Sequence, residues 1–139
     1  MLGADNPDVT ERDSRLALVI DDSRAMRGIL TRILVPLGFE VREAGNGREA
    51  LDLLWNEDLS PELACIDWNM PVMNGLDFVI AVRKQKHLRQ MTLMMVTTEA
   101  EHGQIVRALA AGAHEYVIKP FTSDAIVNKL AYLGLTSPN

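Results

Sequence analysis

The sequence contains a single cysteine, Cys65, so it cannot close a disulfide within itself, and a cystine-stapled secreted scaffold is excluded. A reducing, cytoplasmic setting is the expectation. The three histidines, His87, His102 and His114, have no clustered cysteine partners and offer no zinc-ligand spacing. No apolar run reaches the roughly 18 residues of a membrane span, and Met1–Ser14 is polar and acidic, without the apolar stretch of a secretory signal. An excess of positive charge is missing as well. The formal net charge is −5, the wrong sign for a dedicated nucleic-acid binder.

What is present is an ordinary globular composition, 47% hydrophobic and 24% charged, over 139 residues, enough for one domain with a real core. A flexible arm is expected over 1–14, a folded domain over 15–135 and a short tail over 136–139. Short apolar runs rich in β-branched residues alternate with helical patterns. Leu16-Ala17-Leu18-Val19-Ile20 reads as a strand buried on both faces. Ala25, Met26, Ile29, Leu30, Ile33, Leu34 and Leu37 then recur at helical spacing, closed by Pro36 and Gly38. Phe39–Glu43 predicts a second strand, and Asn46 caps a helix carrying Ala50, Leu51 and Leu54. Leu63–Ile66 predicts a third strand, followed by a Pro71/Asn74/Gly75 turn and a helix over about 76–84. Leu93–Val96 predicts a fourth strand with a helix over about 104–111. Glu115–Ile118 predicts a short fifth strand, and Thr122 or Ser123 caps a last helix through Leu133.

Five βα units in series imply parallel strands, right-handed crossovers and helices on both faces. In such α/β folds ligands sit beyond the carboxyl ends of the strands. Strand one is followed there by Asp21 and Asp22, strand three by Asp67, strand four by Thr97 and Thr98, and strand five by Lys119; strand two leads only into Ala44-Gly45. With strands one and three adjacent, as in the flavodoxin-like order 2-1-3-4-5, three carboxylates share one crevice. Their mutual repulsion raises at least one pKa, and a hard divalent cation relieves it. Mg²⁺ suits few carboxylates, several waters and a phosphoryl oxygen. Asp67 is then a candidate nucleophile for phosphoryl transfer, Asp21 and Asp22 metal holders, Thr97 and Lys119 further donors. Each residue also has a plainer use: Asp-Asp-Ser as a helix cap, Asp67 as a turn starter, Thr97 as a strand former, Lys119 as a solvated charge, Tyr116 as a core aromatic. Their joint arrival at one sheet edge favours the chemical reading.

Over about 16–133 the sequence resembles the receiver domain of two-component response regulators. The resemblance is carried by Leu18-Val19-Ile20-Asp21-Asp22-Ser23, by Ile66-Asp67-Trp68-Asn69-Met70-Pro71-Val72-Met73-Asn74-Gly75, by Met95-Val96-Thr97-Thr98-Glu99-Ala100, and by Gly112–Phe121 with Lys119-Pro120. The segments around Asp67 and Thr97 look most like the stand-alone, CheY-like chemotaxis regulators. That resemblance implies a phosphoacceptor switch rather than a turnover enzyme, with Asp67 taking a phosphoryl group from a phosphohistidine of a sensor histidine kinase or histidine phosphotransfer protein. It implies Mg²⁺ on Asp22, on Asp21 largely through water, on Asp67, and on the Asn69 backbone carbonyl. Lys119, ahead of a cis bond to Pro120, would meet a phosphoryl oxygen. Thr97 and Tyr116 would move as the switch. Asn69 and Glu99, flanking the path of an attacking water, imply a short-lived phospho-form, and Thr98 would slow that loss. Ile105, Val106 and Tyr116 mark the partner surface, with the flagellar motor switch as one output; a monomer or weak dimer is expected.

Other readings remain open: a phosphorelay intermediate or phosphate sink, and, more remotely, two different chemistries. Gly45-x-Gly47-x-x-Ala50 fits a loose dinucleotide fingerprint, but it follows the second strand rather than the first. A haloacid-dehalogenase-type phosphatase needs an acid two residues after the nucleophile, where this chain has Asn69.

Overall fold

The strands form where runs of apolar residues can be covered from both sides. In the computed structural model, which describes residues 15–137, every residue of Ala17–Ile20 and of Leu63–Ile66 is buried. The strands are β1 (Arg15–Ile20), β2 (Phe39–Ala44), β3 (Leu63–Ile66), β4 (Thr92–Thr97) and β5 (Glu115–Ile118), all parallel and ordered β2-β1-β3-β4-β5. The arm expected over 1–14 lies outside the described residues, as does the end of the tail.

Successive strand residues point to opposite faces, so each run feeds two cores. Leu18, Ile20, Ala64, Ile66, Leu93 and Met95 meet α2 (Gly47–Asn56), α3 (Gly75–Arg83) and α4 (His102–Ala111) through Leu51, Leu54, Phe78, Val79, Val82 and Ala108. On the other face Ala17, Val19, Cys65, Met94 and Val96 meet α1 (Arg24–Leu34) and α5 (Ser123–Tyr132) through Leu30, Leu34, Ile126 and Leu130. Each fully buried leucine or phenylalanine contributes about 1.5–3 kcal/mol.

Local sequence sets the helix starts. The side chains of Ser23, Asn46, Asn74 and Thr122 accept from the backbone N–H groups of Met26, Glu49, Asp77 and Ala125, satisfying donors that the first turn leaves open. The helix expected from Gln104 begins two residues earlier, after Glu101, whose side chain makes no capping bond. The last helix ends at Tyr132, with Leu133 as its cap rather than its final residue. Discrepancies of this size are the ordinary fraying of helix ends.

Candidate functional site

Three backbone bonds carry the parallel ladder one residue past the strands. Asp21 N–H donates to Ala44 O at 3.0 Å, Asp67 N–H to Ile20 O at 2.9 Å, and Lys119 N–H to Thr97 O at 2.9 Å. Ile20 pairs with Ile66, and Thr97 with Ile118. The residues that follow the strands therefore arrive in line at one edge of the sheet.

There Asp21, Asp22 and Asp67 each offer a carboxylate oxygen, and these atoms lie within 4.8 Å of one another. Asp21 and Asp67 are buried and Asp22 is exposed. Lys119 reaches in from β5, its Nζ 2.7 Å from Asp21 Oδ2 and 3.6 Å from Asp67 Oδ2. Thus one ammonium meets two of the three acids and lies nearer Asp21 than Asp67. Asp67 Oδ1 accepts from the Trp68 N–H at 2.8 Å, and Asp21 Oδ1 from the Ser23 N–H at 2.8 Å. Burial pushes the Asp67 carboxyl above the usual carboxylate range, and Asp21 adds to the rise; the Thr97 hydroxyl, Lys119 and the Trp68 N–H oppose it. This donor set, all oxygen and all hard, with one exposed member leaving an open side, fits Mg²⁺ rather than a soft metal.

The loop after β3 approaches Asp67 closely. A Cβ at Gly75 would stand 2.1 Å from the Asp67 carbonyl oxygen, so no other residue fits there. Within that loop Met73 N–H donates to Pro71 O at 2.7 Å across Val72, whose φ is +68°. This is a γ-turn with a β-branched residue in the left-handed region. Asn69 sits on the same loop and is exposed.

Thr97 is fully buried, and its Oγ1 accepts from the Glu99 N–H at 3.2 Å. The Tyr116 hydroxyl donates to the Glu99 carbonyl at 2.6 Å, tying β5 to the loop after β4. Burial, then Glu99 and Asp67, push this phenol up to about 12, so it stays a donor across the physiological range. Thr98 is exposed beside Thr97, and the Lys119-Pro120 bond is cis.

Sequence reasoning brought Asp21, Asp22, Asp67, Thr97 and Lys119 to one edge, and the structure gathers them there. It passed over three other features. Arg27 donates to the Asp21 carbonyl at 2.7 Å; its spacing on the first helix carries no sign of that contact. The tight approach at Gly75 was legible only as a turn. Beside Val106, 49% exposed, Leu109 and Ile118 are each 43% exposed, whereas Ile105 is half-buried. A helical or strand pattern alone does not say which apolar residues stay uncovered. The buried Cys65 thiol, pushed up to about 12 by burial, lies within the sheet and is inert.

Residues 17–131 match the family described as the response regulator receiver domain. A chemotaxis protein CheY homolog of Campylobacter jejuni is 46% identical over 115 residues, covering 81% of this chain and 87% of that one. The chemotaxis protein CheY of Pseudomonas aeruginosa is 40% identical over 114 residues, covering 81% and 90%. Among solved structures, the chemotaxis protein CheY4 of Vibrio cholerae aligns with a TM-score of 0.78 at 33% identity, over 86% of this chain and 98% of that one.

Proposed function

The chain belongs to the response regulator receiver domain family, and on that premise we propose that it stores a signal as a phosphoryl group on Asp67 and passes it on by a protein contact in chemotaxis. The observation that carries this reading is the meeting of three carboxylates within 4.8 Å, faced by Lys119 and lined by Thr97.

Asp67 attacks the phosphorus of a phosphohistidine on a sensor histidine kinase or phosphotransfer protein. The P–N bond breaks as the P–O bond to Asp67 forms, and the released imidazole nitrogen takes its proton from solvent. Asp21, Asp22, Asp67 and the Asn69 carbonyl would hold Mg²⁺, which would neutralise charge on the phosphoryl oxygens. Lys119, which lies 2.7 Å from Asp21 and 3.6 Å from Asp67, turns its ammonium to a phosphoryl oxygen. Thr97 supplies a hydroxyl donor, and its shift is coupled to Tyr116 through the Glu99 backbone that both residues touch. The phosphoryl group thereby biases a two-state element beside the exposed Val106, Leu109 and Ile118, where an output partner such as a motor switch protein docks. Asn69 and Glu99 flank the route of hydrolytic water and Thr98 slows the loss, so the phospho-form is short-lived.

The test is addition of beryllofluoride with Mg²⁺ while following Trp68, which is buried beside Asp67. A saturable fluorescence change in the wild type and none in Asp67→Asn is expected. An equal response in both proteins would sink the phosphoacceptor reading.

A further inference from the structure

Arg27 stands on the first turn of α1, outside the acidic cluster, and none of the roles above uses it. Its side chain is 19% exposed, and its guanidinium is held in two directions. Nη1 donates to the Asp21 carbonyl at 2.7 Å, and Nε donates to Glu43 Oε1 at 3.0 Å. Glu43 is itself tied, because its second oxygen accepts from the Thr31 hydroxyl at 3.3 Å. Asp21 N–H meanwhile donates to Ala44 O at the end of β2. The backbone of Asp21 is therefore clamped on both sides, to β2 through its N–H and to α1 through its carbonyl.

That carbonyl belongs to the peptide group leading into Asp22. Among the described residues no hydrogen bond or ion pair holds the Asp22 side chain, although its carboxylate lies within 4.8 Å of those of Asp21 and Asp67. Its place in the cluster depends on where its backbone starts. We propose that Arg27 is a positioning residue for the divalent cation: through the Asp21 carbonyl it fixes the Asp21–Asp22 peptide and keeps the Asp22 carboxylate in the ligand set. The inference rests on the Mg²⁺ reading above.

Charge and position predict opposite signs, which makes the proposal sharp. A cation near a metal site repels the metal, so if charge alone mattered, losing Arg27 would tighten Mg²⁺ binding. If position matters, losing it weakens binding. Lysine separates the two further: it keeps the charge, but its single ammonium cannot reproduce a guanidinium that meets a carboxylate through Nε and a carbonyl through Nη1.

The experiment is a Mg²⁺ titration of the full chain, read by Trp68 fluorescence in a Trp55→Phe background and by calorimetry. Wild type is compared with Arg27→Met, Arg27→Lys and Glu43→Gln. We expect Kd for Mg²⁺ to rise about tenfold in both Arg27 variants, as for other groups that hold a metal ligand in place, and two- to threefold in Glu43→Gln. The phosphorylation rate should recover toward wild type at saturating Mg²⁺. An unchanged Kd in Arg27→Lys, a tighter one in Arg27→Met, or a fall in Tm with no change in Kd overturns the proposal. Should Arg27→Met fail to fold, Arg27→Lys and Glu43→Gln decide. A wild type that shows no saturation sinks the metal reading itself and this inference with it, an outcome distinct from a binding wild type with indifferent variants.

Discussion

Strands β4 and β5 end in two polar clusters built on opposite plans. At their carboxyl ends, Thr97 and Lys119 meet three carboxylates that follow β1 and β3 and lie within 4.8 Å of one another, two of them buried. At their amino ends, Arg83 at the close of α3 donates to the carbonyls of Gly112 at 3.0 and 3.1 Å and of Met91 at 3.1 Å. His114 Nδ1 there accepts the Leu93 N–H at 3.0 Å, and the His114 N–H returns to the Leu93 carbonyl at 2.8 Å. A side chain at Gly112, whose φ is +126°, would run into Arg83 at 2.7 Å. The lower cluster answers the Arg83 guanidinium with neutral carbonyl acceptors. The upper one carries excess negative charge that a bound cation would relieve. Satisfied polar groups stabilise a fold, whereas a frustrated set is a binding site.

The largest effect that can break this contrast is at Asp67. Asp67→Asn should abolish phosphoryl incorporation from acetyl phosphate, measured by mobility shift or radiolabel. In Mg²⁺-free buffer near neutral pH it should nevertheless raise Tm by on the order of a few degrees, because it removes a carboxylate that burial and Asp21 disfavour. A fall in Tm would mean that the upper cluster is as structural as the lower one.

Arg83→Met should do the reverse. It leaves carbonyls of Met91 and Gly112 without their donor, at a cost of about 3 kcal/mol in chemical denaturation, while Mg²⁺ affinity stays at the wild-type value. A change in Mg²⁺ affinity would show that the two ends are coupled through β4.

The ends also differ in the sign of their pH dependence. Burial and Arg83 hold His114 below its ordinary value of 6.5. As pH falls below that value the unfolded chain takes a proton that the folded chain refuses, so stability drops toward the lower folded pKa. For Asp67 the folded pKa is raised, so the folded chain keeps a proton that the unfolded chain has released. Stability therefore falls as pH rises from the ordinary carboxylate range, about 3.9, through that raised value. His114→Asn, whose carboxamide oxygen can accept the Leu93 N–H without titrating, should flatten the limb below pH 6.5. It should leave the Asp67 limb intact. Denaturation midpoints across pH in Mg²⁺-free buffer check both limbs, and an unchanged acid limb in His114→Asn would remove His114 as its cause.

The two clusters were unequally legible. The upper one follows from strand ends, because Asp21, Asp67 and Lys119 each extend a ladder that the apolar runs already define. The lower one depends on carbonyls meeting an arginine 29 residues away in sequence, as Arg83 meets Gly112, and no periodicity encodes that. In sequence Arg83 is one more charge near a helix end, and His114 is one of three histidines without zinc-ligand spacing. Arg27 was hidden for a related reason: half of its partnership is a backbone carbonyl, which every residue possesses. The exposure of Leu109 and Ile118 was hidden because it depends on what neighbouring elements cover.

The smallest effect concerns strain in the loop beside the acidic cluster. Val72 is 83% exposed and makes no core contact, yet it holds φ at +68° in the γ-turn between Pro71 and Met73. A residue with a Cβ there carries a cost of roughly 1–2 kcal/mol, and glycine removes it while giving back part through its freer unfolded chain. Val72→Gly should therefore gain about 0.5–1 kcal/mol in denaturant unfolding, and Val72→Ala less, since it keeps the Cβ. Because the loop runs from Asp67 to Gly75, the same variants should be followed by Mg²⁺ titration. A gain in stability with looser Mg²⁺ binding would show that the turn's strain helps to hold the acidic cluster in shape. A gain with unchanged binding would confine the strain to the turn. A loss of stability in Val72→Gly would show that the left-handed residue is not strained at all, and that the loop draws its shape from contacts of the valine side chain.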